Sequence, residues 1–256
     1  MNTLKFLGTA GARFVVMKQL RASGGMWLNL DGTHVLIDPG PGALVRCLAS
    51  RPRLDPMDLE GIILTHRHLD HANDINIIIE AMTNGGFKKK GVVFAPADAL
   101  EGDPVILKYI RQQLERIEIL KEKGRYKVGN ISFETPIKMK HGVETYGLNI
   151  LGKTCSISLI ADTDYFDDLA SYYTGDILIL NVVLLEDKST IEHLCLNEAE
   201  QIITANKPRL AILTHFGMGM VKAKPWKLAE HLTKKLGVHV IAAHDGMEID
   251  IDQHTK

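Results

Sequence analysis

Residues 65–71 read Thr65-His66-Arg67-His68-Leu69-Asp70-His71 and place four potential metal ligands within six residues. Neutral imidazoles with a carboxylate suit a borderline-soft divalent cation such as zinc. The string follows a short apolar run, Gly61-Ile62-Ile63-Leu64, and precedes an apolar segment, residues 75–82, that reads as a helix. It therefore lies between a strand end and a helix start. In an extended loop His66 and His68 point the same way and can clamp one ion. Asp70 and His71 lie past the bend and can face a second ion. A histidine taken alone is more often a surface or satisfied core residue, and Asp70 could instead cap the helix near His71. The complete string, straight after a buried-type strand, favours metal.

This string resembles the signature of the metallo-β-lactamase-fold hydrolases. That family draws further ligands from the ends of later strands, and the chain has a residue at each place. His141 follows the run 137–140, Asp162 follows 157–161 and His215 follows 210–214. The resemblance implies that His66, His68 and His141 hold one ion and Asp70, His71 and His215 the other, with Asp162 bridging. It also implies two divalent metal ions, Zn(2+) first, with Mn(2+) or Fe compatible with the ligand types. Iron-dependent redox members have glutamate where His68 stands, so histidine favours hydrolysis. Asp38 resembles the family's loop-organising aspartate near the metal. Asp70 and His193 are the candidate catalytic residues; the phosphodiesterase branch has a histidine in a loop corresponding to that of His193, against the phosphate. The alternative for His193 is a loop histidine capping nearby backbone, and its position favours the functional reading. His244 either orients a ligand from outside or is a plain hairpin residue.

The composition is ordinary for a globular protein. The chain has 256 residues, 45% hydrophobic and 24% charged, with a formal net charge of -1. That length suits one large domain, taken as residues 1–256, and the balance supplies no basic field toward nucleic acid or membrane. No apolar run reaches the roughly 18 residues of a membrane span. Three scattered cysteines, Cys47, Cys155 and Cys195, read as reduced buried thiols in a cytoplasmic protein. Homodimers are common among soluble enzymes, so a homodimer is a prior only, and the sequence does not fix the oligomeric state.

The elements that must position these residues alternate along the chain. Strands are expected at 4–7, 26–30, 34–37, 92–95, 126–128, 131–134, 137–140, 146–151, 156–160, 176–183, 209–214, 238–242 and 247–251. An Asp31-Gly32 turn signals a hairpin. The glycine-rich stretch before Gly25 lacks phosphate-loop spacing. Helices are expected after Ala43, at 75–82, at 197–205 with Asn197 as cap and Glu200 completing a box, and at 226–236 behind Pro225. Apolar residues spaced by three and four across 103–123 predict a long helix there, read as a surface helix or else as a cap or dimer element. The order fits an α+β fold, the four-layer αββα sandwich of the family: two mixed β-sheets face to face with helices outside.

There is no Gly-x-Ser-x-Gly nucleophile elbow. Two ions sharing a water can make it an attacking base near neutral pH. We therefore expect a dinuclear hydrolase acting on a phosphodiester or similar small anionic ester. Thr214-His215-Phe216-Gly217 looks most like the branch of ribonuclease Z and small phosphodiesterases. Only residues 142–161 separate His141 from Asp162, which leaves no room for an RNA-gripping arm, and Gly217-Met218-Gly219-Met220 replaces that family's serine-arginine-tyrosine. Basic clusters at 88–90 and 121–127 are short, so nucleic acid is disfavoured as the substrate. The alternatives are a lactonase or thioesterase of the same fold and a binding protein whose metal is structural.

Overall fold

The nature of each apolar run decides where its strand lies. The computed structural model describes residues 1–254 apart from Ser189. The first sheet collects β1 (Thr3–Phe6), β2 (Met26–Leu30), β3 (Thr33–Ile37), β4 (Gly61–Ile63), β5 (Val92–Ala95) and β6 (Arg116–Ile119). The second collects β7 (Gly124–Val128), β8 (Ile131–Thr135), β9 (Leu148–Leu151), β10 (Ser156–Ile160), β11 (Ile177–Asn181), β12 (Leu210–Thr214) and β13 (His239–Ala242). The last strand, β14 (Glu248–Asp250), returns to the first sheet beside β1. Each sheet has seven strands, in the orders β14-β1-β2-β3-β4-β5-β6 and β13-β12-β11-β10-β9-β8-β7.

In the first sheet the pairings from β14 to β3 are antiparallel and those from β3 to β6 parallel. The second repeats this, antiparallel from β7 to β10 and parallel from β10 to β13. Parallel strands buried on both faces need continuous apolar sequence, and β4, β5, β11 and β12 are buried at every position. Edge strand β7 instead alternates, with Tyr126 and Val128 buried and Arg125 and Lys127 exposed; such charges discourage edge-to-edge pairing. Asp31 and Gly32 both have positive φ, 52° and 76°, as the tight turn between β2 and β3 requires.

The helices are α1 (Ala12–Met17), α2 (Ala43–Ala49), α3 (Leu69–Ala72), α4 (Ile75–Met82), α5 (Leu196–Asn206), α6 (Met218–Lys222) and α7 (Pro225–Leu236). Ile75, Ile78, Ile79 and Met82 form one buried stripe on α4. They pack with Leu36, Ile62 and Cys47 on the outer face of the first sheet. Ala199, Ile202 and Leu232 of α5 and α7 cover Leu178 and Leu180 of the second sheet. Between the sheets lie Phe6, Leu28, Phe94, Phe133, Ile157 and Ile212, in one core drawn from both. The layers are thus helix, sheet, sheet, helix. Among the described residues no helix is long and apolar enough to cross a membrane.

Three expectations change. Residues 103–123 form no long helix; they hold a 3-10 turn at Arg111–Gln113 and then β6. Ile106, Ile110 and Leu114 are buried as their spacing suggests, but successive turns bury them. The Arg111 guanidinium donates to the carbonyls of Ile106 and Leu100, with Nη2 at 2.7 and 2.6 Å, and so serves the Ile106 carbonyl, which a helix would have satisfied internally. The backbone from Arg116 onward pairs with β5 instead. Residues 137–140 also form no strand, only an isolated bridge from Lys138 to Tyr146. Finally, the cap of α5 lies two residues earlier than expected: it is Cys195, whose N–H donates to Glu198 at 2.7 Å, in place of Asn197 with Glu200.

Candidate metal centre

The topology brings the predicted ligands to one place. Strands β10, β11 and β12 run parallel, so residues just past their ends emerge at the same sheet edge. Asp162 follows β10, Asn181 ends β11 and His215 follows β12. From the other sheet, β4 leads into His66 and His68, and the one-turn α3 carries Asp70 and His71. His68 is the N-terminal flanking residue of α3, and Asp70 makes no capping bond there.

Four overlapping groups of three donors result among the described residues, with all ligand atoms of a group within 4.8 Å of one another; two of them share no residue, His66, His68 and His141 in one and Asp70, His71 and His215 in the other, while His66 and His71 form a third with Asp162. His141 Nε2 is 3.1 Å from His68 Nδ1, and His71 Nε2 is 3.2 Å from His215 Nε2. Asp162 stands between the groups. Its Oδ2 lies 3.8 Å from His66 Nε2, 3.5 Å from His71 Nε2 and 3.3 Å from His215 Nε2. His193 also reaches this oxygen, with Nδ1 at 3.6 Å, and forms a further group with His141 and Asp162.

Hydrogen bonds outside the groups set which nitrogen faces inward. The Thr65 hydroxyl donates its single proton to Asp38 Oδ2 at 2.7 Å. The 3.1 Å contact from that hydroxyl to His66 Nδ1 must then be donated by the imidazole. His66 Nε2 is left as a lone pair, fully buried and without a hydrogen-bond partner. His71 Nδ1 likewise donates to Asp38 Oδ2 at 3.0 Å, and His141 Nδ1 to the Glu192 carbonyl at 3.1 Å. Such outer bonds fix the tautomer a metal ligand needs. Ring nitrogens of facing imidazoles lie only 3.1–3.2 Å apart, and imidazoles and carboxylates are the donors zinc takes at about 2.1 Å. The residues present fit a pair of divalent ions.

Charge tells the same story. Burial, then the neighbouring His71, hold His66 well below the ordinary imidazole range, so it is neutral at pH 7. Burial acts to lower His71 too, but the carboxylates of Asp70, Asp162 and Asp38 outweigh it and raise His71 well above that range. Burial alone would raise Asp162; His215, His71 and His193 instead pull it well down. Without metal, then, His71 is an imidazolium at neutral pH. As a ligand it must be neutral, so binding displaces its proton and affinity rises with pH up to the raised pKa. Calorimetry of zinc binding at pH 7 in two buffers of different ionisation heat should show release of about one proton per chain. Equal heats in both buffers would contradict this.

Two residues the motifs did not reveal hold the site in place. Asn181 Nδ2 donates to Asp162 Oδ1 at 2.8 Å, leaving Oδ2 for the donors opposite. Thr65 bonds both oxygens of Asp38, through its N–H and its hydroxyl, each at 2.7 Å. Asp38 and His215 adopt left-handed backbone, φ 53° and 59°, which costs free energy for such residues unless the surroundings impose it. Gly25 is part of that surrounding: a Cβ there would lie 2.1 Å from the carbonyl oxygen of Asp38, so the glycine-rich stretch packs against backbone. His244 is exposed, with Nδ1 3.3 Å from the Asp245 carbonyl. It joins none of the donor groups; its neighbour Asp245 is the residue that bonds inward.

A family model described as "Beta-lactamase superfamily domain" matches residues 33–216, well over half the chain. The chain belongs to that superfamily. An uncharacterized protein of Methanocaldococcus jannaschii is 31% identical over 258 residues, covering 96% of this chain and 94% of that one. Ribonuclease Z of Clostridium tetani is 31% identical over 125 residues, 48% of this chain and only 38% of the relative. Among solved structures, the metallo-β-lactamase fold protein YhfI of Bacillus subtilis superposes with a TM-score of 0.80 at 20% identity, covering 97% of this chain and 98% of that one. A diphosphatase of the PhnP family gives 0.70 at 20%, covering 97% and 96%. Human tRNase Z, short form, gives 0.69 at 18%, covering 97% and 99%. At those identities the structural likenesses carry the fold, and the metallo-β-lactamase fold is the fold of this member of the superfamily.

Proposed function

We propose that this chain is a dinuclear metal-dependent hydrolase acting on a phosphodiester or similar small anionic ester. The observation that carries the reading is the pair of three-donor groups with one oxygen of Asp162 between them. His66, His68 and His141 would hold one ion, Asp70, His71 and His215 the other, and Asp162 both. Two divalent ions supply an acidified water and positive charge against an anionic oxygen. A structural site closes four protein ligands around a single ion; seven donors in two groups fit a site open to substrate better. The phosphodiester preference is supported by relatives whose names are ribonuclease Z and diphosphatase.

The chain's own residues orient the donors and move a proton. Thr65, Asp38, Asn181 and the Glu192 carbonyl set the rotamers and tautomers described above. His193 is assigned to the leaving group. Its side chain is 15% exposed and its Nδ1 has no hydrogen-bond partner, 3.6 Å from Asp162 Oδ2. A donor at that place would protonate the departing oxygen. His193→Ala is expected to keep two ions per chain and lose about 10²- to 10⁴-fold in kcat on an alkyl phosphodiester. It should lose far less on a nitrophenyl ester, whose leaving group needs no proton. Loss of one ion in this variant would make His193 a ligand instead.

The substrate is small. Residues 142–161 hold only a loop and the β9–β10 hairpin, with no projecting arm. Three buried free thiols suit a reducing compartment, and we place the chain in the cytoplasm. The test is hydrolysis of bis-p-nitrophenyl phosphate by zinc- or manganese-loaded protein, beside lactone and thioester panels. Activity on the diester, abolished by chelation and by His66→Ala, supports the reading. Turnover confined to lactones or thioesters contradicts the substrate class.

A further inference from the structure

His215 stands on a left-handed residue just past β12, and the backbone that holds it there comes from the other end of the chain. Phe216 N–H donates to the Thr9 carbonyl at 2.9 Å, and Gly11 N–H returns to the Phe216 carbonyl at 3.1 Å. Thr9 is fixed in turn by Asp245. Its N–H and hydroxyl both donate to Asp245 Oδ1, at 3.0 and 2.7 Å, while the Ala22 N–H donates to Oδ2 at 2.7 Å. One carboxylate thus pins both ends of the loop joining β1 to β2. Arg21 completes the brace: Nη1 donates to the Thr9 hydroxyl at 2.8 Å and to the Ala243 carbonyl at 3.1 Å. Its guanidinium carbon sits 4.9 Å from the centre of the Phe216 ring.

We propose that Asp245, assisted by Arg21, is a positioning residue that sets His215 for the ion shared with Asp70 and His71. The inference rests on the two-ion reading above. Asp245 touches no donor of that group; it acts through Thr9 and Phe216. Its two oxygens accept from three donors, so an amide cannot replace it. Whichever way asparagine turns, its NH2 meets an N–H. Outer partners of metal ligands are worth roughly 10- to 100-fold in metal affinity.

The test is Co(2+) titration of metal-free protein, followed by the visible d–d spectrum. In Asp245→Asn, the equivalent assigned to Asp70, His71 and His215 is expected to bind about 10- to 100-fold more weakly with an altered spectrum, while the other keeps its affinity and bands. Arg21→Gln, the milder change, should move the same equivalent in the same direction and decides the matter if Asp245→Asn does not fold. Leu232→Ala, in the core beneath α7, is the control for general destabilisation and should leave both equivalents unchanged. Parental affinity and spectrum in both brace variants would overturn the proposal, as would an equal effect from Leu232→Ala. His215→Ala tests the reading beneath it: if that variant still takes up two equivalents like the parent, the two-ion assignment fails, independently of the brace.

Discussion

Asp162→Ala is expected to empty both metal positions and to lower diester turnover by more than about a hundredfold, beyond the upper end for outer partners of a ligand. The carboxylate is 2% exposed, and four imidazoles approach its Oδ2 within 3.3–3.8 Å. It is the only carboxylate oxygen within 4.0 Å of an imidazole nitrogen in both proposed ligand groups among the described residues. Its loss also removes one of the carboxylates that hold the His71 proton in the metal-free protein. Asp162→Asn separates charge from shape: it keeps the volume and should lose metal almost as fully. Two ions per chain in the alanine variant, with turnover within threefold of the parent, would sink this expectation.

Gly11→Ala is the second large effect. A Cβ at residue 11 would lie 2.1 Å from the His215 carbonyl oxygen and 2.8 Å from its Cδ2. Neither atom can retreat easily, because His215 follows β12 directly and is held by the bonds between Phe216 and the loop carrying Thr9 and Gly11. Overpacking of this kind costs about 3 kcal/mol, the upper part of the usual range. The strain falls directly on a proposed ligand, so the variant should also lose the ion assigned to Asp70, His71 and His215. Denaturant melts and metal analysis check both halves. An unchanged midpoint and full metal content would show that the loop gives way freely.

What the sequence disclosed follows from how local each signal is. The four proposed ligands of the first motif share one strand-to-helix junction, so their types and spacing can be read together. Helix α4 was equally plain, because a stripe at 75, 78, 79 and 82 has one interpretation. His141, Asp162 and His215 were placed by resemblance to a family; nothing local in their segments converges them, and parallel strands do that only after folding. Residues 103–123 misled because residues four apart can be buried by consecutive turns as well as by a helix. The competing demand, an open edge on β5, lies some twenty residues away and leaves no periodic trace. Asn181 was hidden as the last residue of an apolar strand, where a single polar side chain was the available clue. At 244–245 the histidine drew attention, while the carboxylate beside it carries the bonds that matter.

The proposed chemistry needs two ions held by these named groups. Anomalous diffraction from zinc-loaded crystals, recorded on both sides of the zinc edge, tests this most directly. We predict two peaks, one ligated by His66, His68 and His141, the other by Asp70, His71 and His215, with Asp162 touching both. A single peak enclosed by four protein donors, or no peak among these side chains, would contradict it.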